Sequence, residues 1–127
     1  MTGLVELPGL LLDLARVLVQ LPRVEVGLRL HGPKPLVQRM RARGRERTER
    51  AAPERARLRR AIGWLDARLP GGDNCYRRVL LEIALDRGAA GEPFRMGIDK
   101  RGGTRSGHAW LGDERGARPR YDVELEM

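Results

Sequence analysis

The feature that most restricts this chain is a change in its hydrophobic period near Gly91. Before it, apolar residues recur at helical spacing. Leu58, Ile62, Leu65 and Leu69 fall at i, i+4, i+7 and i+11, and Val79, Leu80, Ile83 and Ala84 mark a second helical face. After it, the period is two. Phe94, Met96 and Ile98 alternate with Arg95, Gly97 and Asp99; Ser106, His108 and Trp110 with Gly107, Ala109 and Leu111; Tyr121, Val123 and Leu125 with Asp122, Glu124 and Glu126. Three strands joined by Gly/Arg loops at 100–105 and 112–119 predict a small antiparallel sheet after the helices, an α+β fold. The 127 residues leave no room for a second core of ordinary size.

The helices have readable punctuation. Pro53 and Glu54 suit a helix start, and Leu69-Pro70-Gly71-Gly72 ends that helix. Asp73 and Asn74 are preferred N-caps, which puts Cys75 in the first turn of the next helix, with Gly88 as its stop. Upstream, Leu10–Leu21 reads as a helix after Pro8, with Asp13, Arg16 and Gln20 forming one polar stripe. Its apolar remainder predicts a core helix, and the sharper reading is a docking face for a partner or membrane surface. Val24–Leu30 alternates and fits a short strand or connector, and residues 31–35 are a breaker cluster. From Leu36 to Arg50 the Arg-rich run predicts a solvated helix or mobile linker. Residues 1–50 thus read as a helical, Arg-rich segment in front of a domain at 51–127.

The formal net charge of +8 invites a nucleic-acid reading, but it is localised. Residues 1–33 and 73–127 are each neutral, and the whole excess lies in 34–72. Residues 34–60 carry no aromatic, so base stacking has no platform there and nucleic acid is not the expected partner. The basic arm predicts an acidic partner, with Arg41, Arg43, Arg45 and Arg47 as its test positions. Aromatics are 4% of the chain, which makes the core aliphatic. One Cys excludes an internal disulfide framework, and Cys75, His31 and His108 lack the close ligand pairs of a zinc site, so neither metal nor cofactor is expected. The start, MTGLVELPG, carries no positive n-region and no small-residue cleavage site follows, and Leu10–Leu21 is too short to span a bilayer. The expectation is a cytoplasmic protein, with membrane association unsupported.

The chemistry-bearing residues are Cys75, His108 and Asp122, in that order. A thiolate is the attacking species, and a helix N-terminus and a nearby imidazolium both favour it. A carboxylate fixes the imidazole tautomer, and the unpaired first-turn N–H of Cys75 suits an oxyanion hole. His108 has small neighbours, Gly107 and Ala109, that leave room for a substrate chain.

The words DNCYRRVLLEIALDRGAAGEPFRMGI and SGHAWLGD resemble the transglutaminase-like cysteine proteases of lasso-peptide biosynthesis, the leader peptidases. The resemblance covers about residues 51–127 and implies a transglutaminase/papain-like core there. Cys75 matches the nucleophile, His108 in Gly-His-Ala-Trp the base, and Asp122 the orienting acid, with Asp113 as the alternative. No Gln stands a few residues before Cys75, where related enzymes place an oxyanion donor. The resemblance implies a cysteine endopeptidase that removes the leader from a ribosomally made precursor peptide. It further implies a leader-recognition protein and an ATP-dependent macrolactam cyclase as partners. No phosphate loop is present, so no nucleotide site is assigned. The alternatives are a transglutaminase-like acyl transferase on the same thioester, or a non-enzymatic basic adaptor for nucleic acid or an acidic partner.

Overall fold

The computed structural model describes the backbone of residues 2–70, 74–99, 106–112 and 123–126. Five helices precede three strands among the described residues: α1 (Thr2–Leu30), α2 (Pro33–Arg45), α3 (Ala52–Asp66), α4 (Cys75–Leu85), α5 (Arg87–Ala90), β1 (Phe94–Asp99), β2 (Ser106–Leu111) and β3 (Val123–Glu126). The α+β expectation holds. Both strand pairs are antiparallel and the order is β2-β1-β3, so β1 is central. Gly112 ends β2 at φ +75°, a left-handed backbone that suits glycine. Its N–H donates to the Pro93 carbonyl and its own carbonyl accepts from Arg95 Nε, closing that end of the β1–β2 pair.

Helix α4 is the hub. From Val79 to Leu85 its sequence is apolar except for Glu82, and it buries Val79, Leu80, Leu81, Ile83, Ala84 and Leu85. A helix apolar on nearly all sides belongs inside, and α1, α2, α3 and β2 all pack against α4. Leu36, Val37 and Met40 of α2, Leu58 and Ile62 of α3, and Phe94 of β1 join the same aliphatic cluster. Residues 1–50 and 51–127 therefore share one core. Phe94, the only Phe, meets the Tyr76 ring at 5.7 Å between centroids.

Several expectations are revised. Val24–Leu30 is neither strand nor connector but the last two turns of α1, where Val24 and Gly27 are buried. Alternation at 24, 26, 28 and 30 overlaps a helical pattern, and the packing decides between them. Residues 36–45 are helix rather than linker, and only one face is solvated: Leu36, Val37, Met40 and Gly44 are buried while Gln38, Arg39, Ala42 and Arg45 are exposed. Gly44 lies so close to α4 that a Cβ there would sit 1.9 Å from the Ile83 carbonyl oxygen. Helix α4 ends at Leu85 rather than Gly88, because the Asp86 side chain accepts from Gly88 N and starts the short α5.

The sidedness of α1 is the largest surprise. The stripe carrying Asp13 and Gln20 faces inward, with both residues buried. Leu7, Leu11, Leu12, Leu18, Val19, Val26 and Leu30 are instead 49–70% exposed. The reason is charge. The Asp13 carboxylate accepts from Arg50 at 2.8 Å and Arg57 at 3.0 Å, two cations from the distant segment before and within α3. Burial alone raises the Asp13 pKa, but the hydrogen bonds from Arg50 and Arg57 outweigh it and hold it below the usual carboxylate range.

Those pairs belong to a wider pattern. Arg55 binds Glu82 at 2.7 Å and also pairs with Glu92, while Arg59 binds Glu82 at 3.1 Å. Arg41 donates to the Glu92 carbonyl. The hydrogen bonds that Arg55 donates to Glu92, then Glu82, hold it further above its ordinary pKa than burial lowers it. Much of the basic excess of residues 34–72 is thus consumed inside the fold by carboxylates from the neutral segments.

Candidate functional site

Three local devices set the position of Cys75 at the first residue of α4. The Asn74 side chain caps the helix by accepting from Arg77 N at 3.1 Å. The Asn74 N–H donates to Asp66 at 3.0 Å, tying the cap to the end of α3. Arg77, buried, donates to Asp66 at 2.6 Å and to Glu25 of α1 at 2.9 Å. Burial pulls the Arg77 pKa down, yet the hydrogen bonds it donates to Glu25 and Asp66 leave it raised. The N-terminus of α4 is therefore clamped by α1 and α3 together. The expected cap residue Asn74 is confirmed in that role.

The sulfur of Cys75 is held against the sheet. The backbone N–H of Ala109 donates to Sγ at 3.2 Å. A thiolate accepts such a bond more strongly than a thiol does. Ala109 follows His108 directly, so this contact brings the Cys75 and His108 segments together. Both residues line one cleft of about 440 Å³. His108 is exposed and Cys75 partly buried, so both side chains are open to a ligand in the cleft.

The cleft has a mixed wall. Arg59, Gly63 and Ile62 come from α3, Arg78, Val79 and Glu82 from α4, and Ala109, Trp110 and Leu111 from β2. Arg59 and Arg78 outnumber the Glu82 carboxylate in this lining, and the positive balance favours an anion in the cleft, including a thiolate or the oxyanion of a tetrahedral intermediate. Arg59 is anchored on Glu82, and Arg78 lies 3.8 Å from Asp66. Gly63 has no atom within 4 Å of where a Cβ would stand, which leaves the α3 wall open there.

Of the three expected site residues, Cys75 and His108 share the cleft, while Asp122 and its alternative Asp113 lie outside the described residues. The strand register adds a residue. Gly97 of β1 pairs with His108 on one side and with Glu124 of β3 on the other, so His108, Gly97 and Glu124 form one row across the sheet. Reasoning from sequence missed Arg59, Gly63 and Glu82. Only Glu82 left a signal, as an acid inside the apolar run Leu80-Leu81-Glu82-Ile83. Among the described residues no group of three His, Cys, Asp or Glu side chains is placed to hold a metal ion, and His31 lies in a different groove from Cys75 and His108. No described helix is long and apolar enough to cross a membrane. Compared with known protein families, curated proteins and solved structures, the chain shows no significant match.

Proposed function

We propose that this protein is a cysteine endopeptidase with a transglutaminase-like core, and that it cleaves the leader from a ribosomally made lasso precursor peptide. One observation carries the reading: Cys75, at a capped helix N-terminus, shares a cleft with His108 and receives the N–H of the residue next to it. The resemblance of the words around both residues supplies the substrate class.

In this mechanism the Cys75 thiolate attacks the carbonyl carbon joining leader to core, and His108 has taken the thiol proton. The tetrahedral oxyanion is stabilised by the first-turn N–H of α4 and the positive wall of the cleft. As the intermediate collapses, His108 gives its proton to the departing amine, which becomes the core N-terminus. Water, deprotonated by His108, then attacks the thioester. The leader leaves as a carboxylic acid and the thiol is regenerated. Asp122 holds the imidazole, and the register makes Glu124 a second candidate for that role. A leader-recognition protein and a cyclase that uses ATP are the partners this reading requires.

The test is a cleavage assay by mass spectrometry, with the full chain, a recognition partner and a precursor peptide. Cys75→Ala and His108→Ala are expected to lower the rate by about 10⁴-fold or more. Undiminished cleavage by Cys75→Ala sinks the proposal. Asp122→Asn and Glu124→Gln, run side by side, assign the orienting acid to whichever loses more activity. A product carrying an added amine instead of water identifies the acyl transferase.

A further inference from the structure

Where the C-terminal half of α1 meets α2, the two helices leave a groove of about 740 Å³. Its floor is apolar, with Val26 and Leu30 of α1 one turn apart and Met40 of α2 beneath. Val26 is 54% and Leu30 70% exposed, and they continue the uncovered apolar face of α1. The rim is cationic. Arg23 comes from α1, Arg39 and Arg43 lie one turn apart on α2, and the one carboxylate in the lining is Glu46. Among the described residues these three arginines form none of the ion pairs that occupy Arg50, Arg55, Arg57, Arg59 and Arg77. Burial comes first in pulling Arg43 below its ordinary pKa, and repulsion from Arg23 and Arg39 adds to it, with Glu46 acting the other way.

An exposed apolar floor is costly to leave in water, and neighbouring cations repel until carboxylates reach them. Apolar and cationic residues at one-turn spacing on facing helices match a third helix with an apolar stripe and acidic flanks. We propose that this groove docks an acidic, amphipathic helical segment of a partner protein. The alternatives fit less well. A bilayer is flat whereas the groove is concave between two helices, and no Trp, Tyr or Phe lines it as in interfacial membrane anchors. Nucleic acid offers phosphates to the rim but nothing to the apolar floor, and His31 is the one aromatic ring in the lining, short of the successive platforms on which bases stack. The inference is independent of the chemistry at Cys75, because the groove and the cleft have no lining residue in common.

The experiment is fluorescence anisotropy of the full chain with two synthetic helical peptides of roughly 18 residues, long enough to hold a helix. Both carry Leu at i, i+4, i+7 and i+11; one is flanked by Glu and the other by Lys. The Glu peptide is expected to bind at least about tenfold more tightly, since each charge-assisted hydrogen bond is worth about that factor. Arg39→Glu with Arg43→Glu is expected to remove that preference, and Leu30→Asn to weaken binding of the Glu peptide. Arg39 and Leu30 are exposed, so Arg39→Glu alone and Leu30→Asn serve as the variants least able to disturb folding, checked by thermal melting. Equal affinity for the two peptides, no binding of either, or binding untouched by Arg39→Glu overturns the proposal. So does attachment to phosphatidylglycerol vesicles that the Glu peptide fails to displace, which would make the face a lipid-binding one.

Discussion

Asp13 carries the heaviest duty of any single residue outside the cleft. Its side chain is fully buried and accepts from Arg50, Arg57 and Arg16. Asp13→Asn leaves two inward guanidiniums without a counter-charge. The expected loss is about 3 kcal/mol, the low end for a broken buried pair because Arg57 reaches solvent. Chemical denaturation of wild type and variant measures it. The folded pKa lies below the ordinary 3.8, so the contribution is fully present above that value and is lost as pH falls through the folded value. The difference in stability between wild type and Asp13→Asn should therefore be constant near neutrality and shrink in acid. Tyr76 predicts the opposite kind of result. Its hydroxyl is buried with no hydrogen-bond partner among the described residues, and burial raises its pKa. Tyr76→Phe removes an unsatisfied group at little packing cost, so its melting temperature is expected to equal or exceed the wild type's.

At the scale of elements, two glycines make contrasting tests of how the helices meet. Gly44 is the point where α2 touches α4, and a Cβ there also falls 2.8 Å from that of Ala90. Gly44→Ala must push the helices apart, at a cost of about 3 kcal/mol or more, visible as a lost cooperative melt. Gly63 sits inside α3 facing open space. Gly63→Ala is expected to gain up to about 1 kcal/mol of helix stability, or about 4 °C in melting temperature. The elements also show what a linear reading reaches. Strands β1 and β2 and the capped start of α4 were legible, because a period of two and an Asn before an apolar run are local signals. The last turns of α1 were not, since Val24, Val26, Leu28 and Leu30 satisfy two periods at once. Nor was the inward turn of the Asp13 stripe. A pattern of polar residues says which share a face, and a partner 37 residues away, Arg50, decides where that face points. Cys75 and His108 were legible as a pair, whereas Arg59 and Gly63 entered the cleft only through the packing of α3.

The whole molecule reassigns its own charge. A net +8 concentrated in 34–72 suggested an external anionic partner. In the fold, Arg50, Arg55, Arg57 and Arg59 meet Asp13, Glu82, Asp86 and Glu92. Lys34, Arg45, Arg47, Arg60 and Arg68 remain exposed, and Arg39 and Arg43 join Arg23 of α1 around one groove. Of the four arginines expected to meet a partner, Arg43 lies on that groove and Arg41 is tied to Glu92.

The clamp on α4 makes the first helix hard to exchange. Glu25 reaches Arg77 two residues after Cys75, and Asp13 neutralises Arg50 and Arg57. A foreign helix of equal length and greasiness would cover the same core and still leave Arg50 and Arg57 without Asp13, and Arg77, beside the sulfur's own turn, with Asp66 alone. Shuffling this domain onto another N-terminus therefore requires transplanting two carboxylates twelve residues apart, Asp13 to meet Arg50 and Arg57 and Glu25 to reach the turn that carries Cys75.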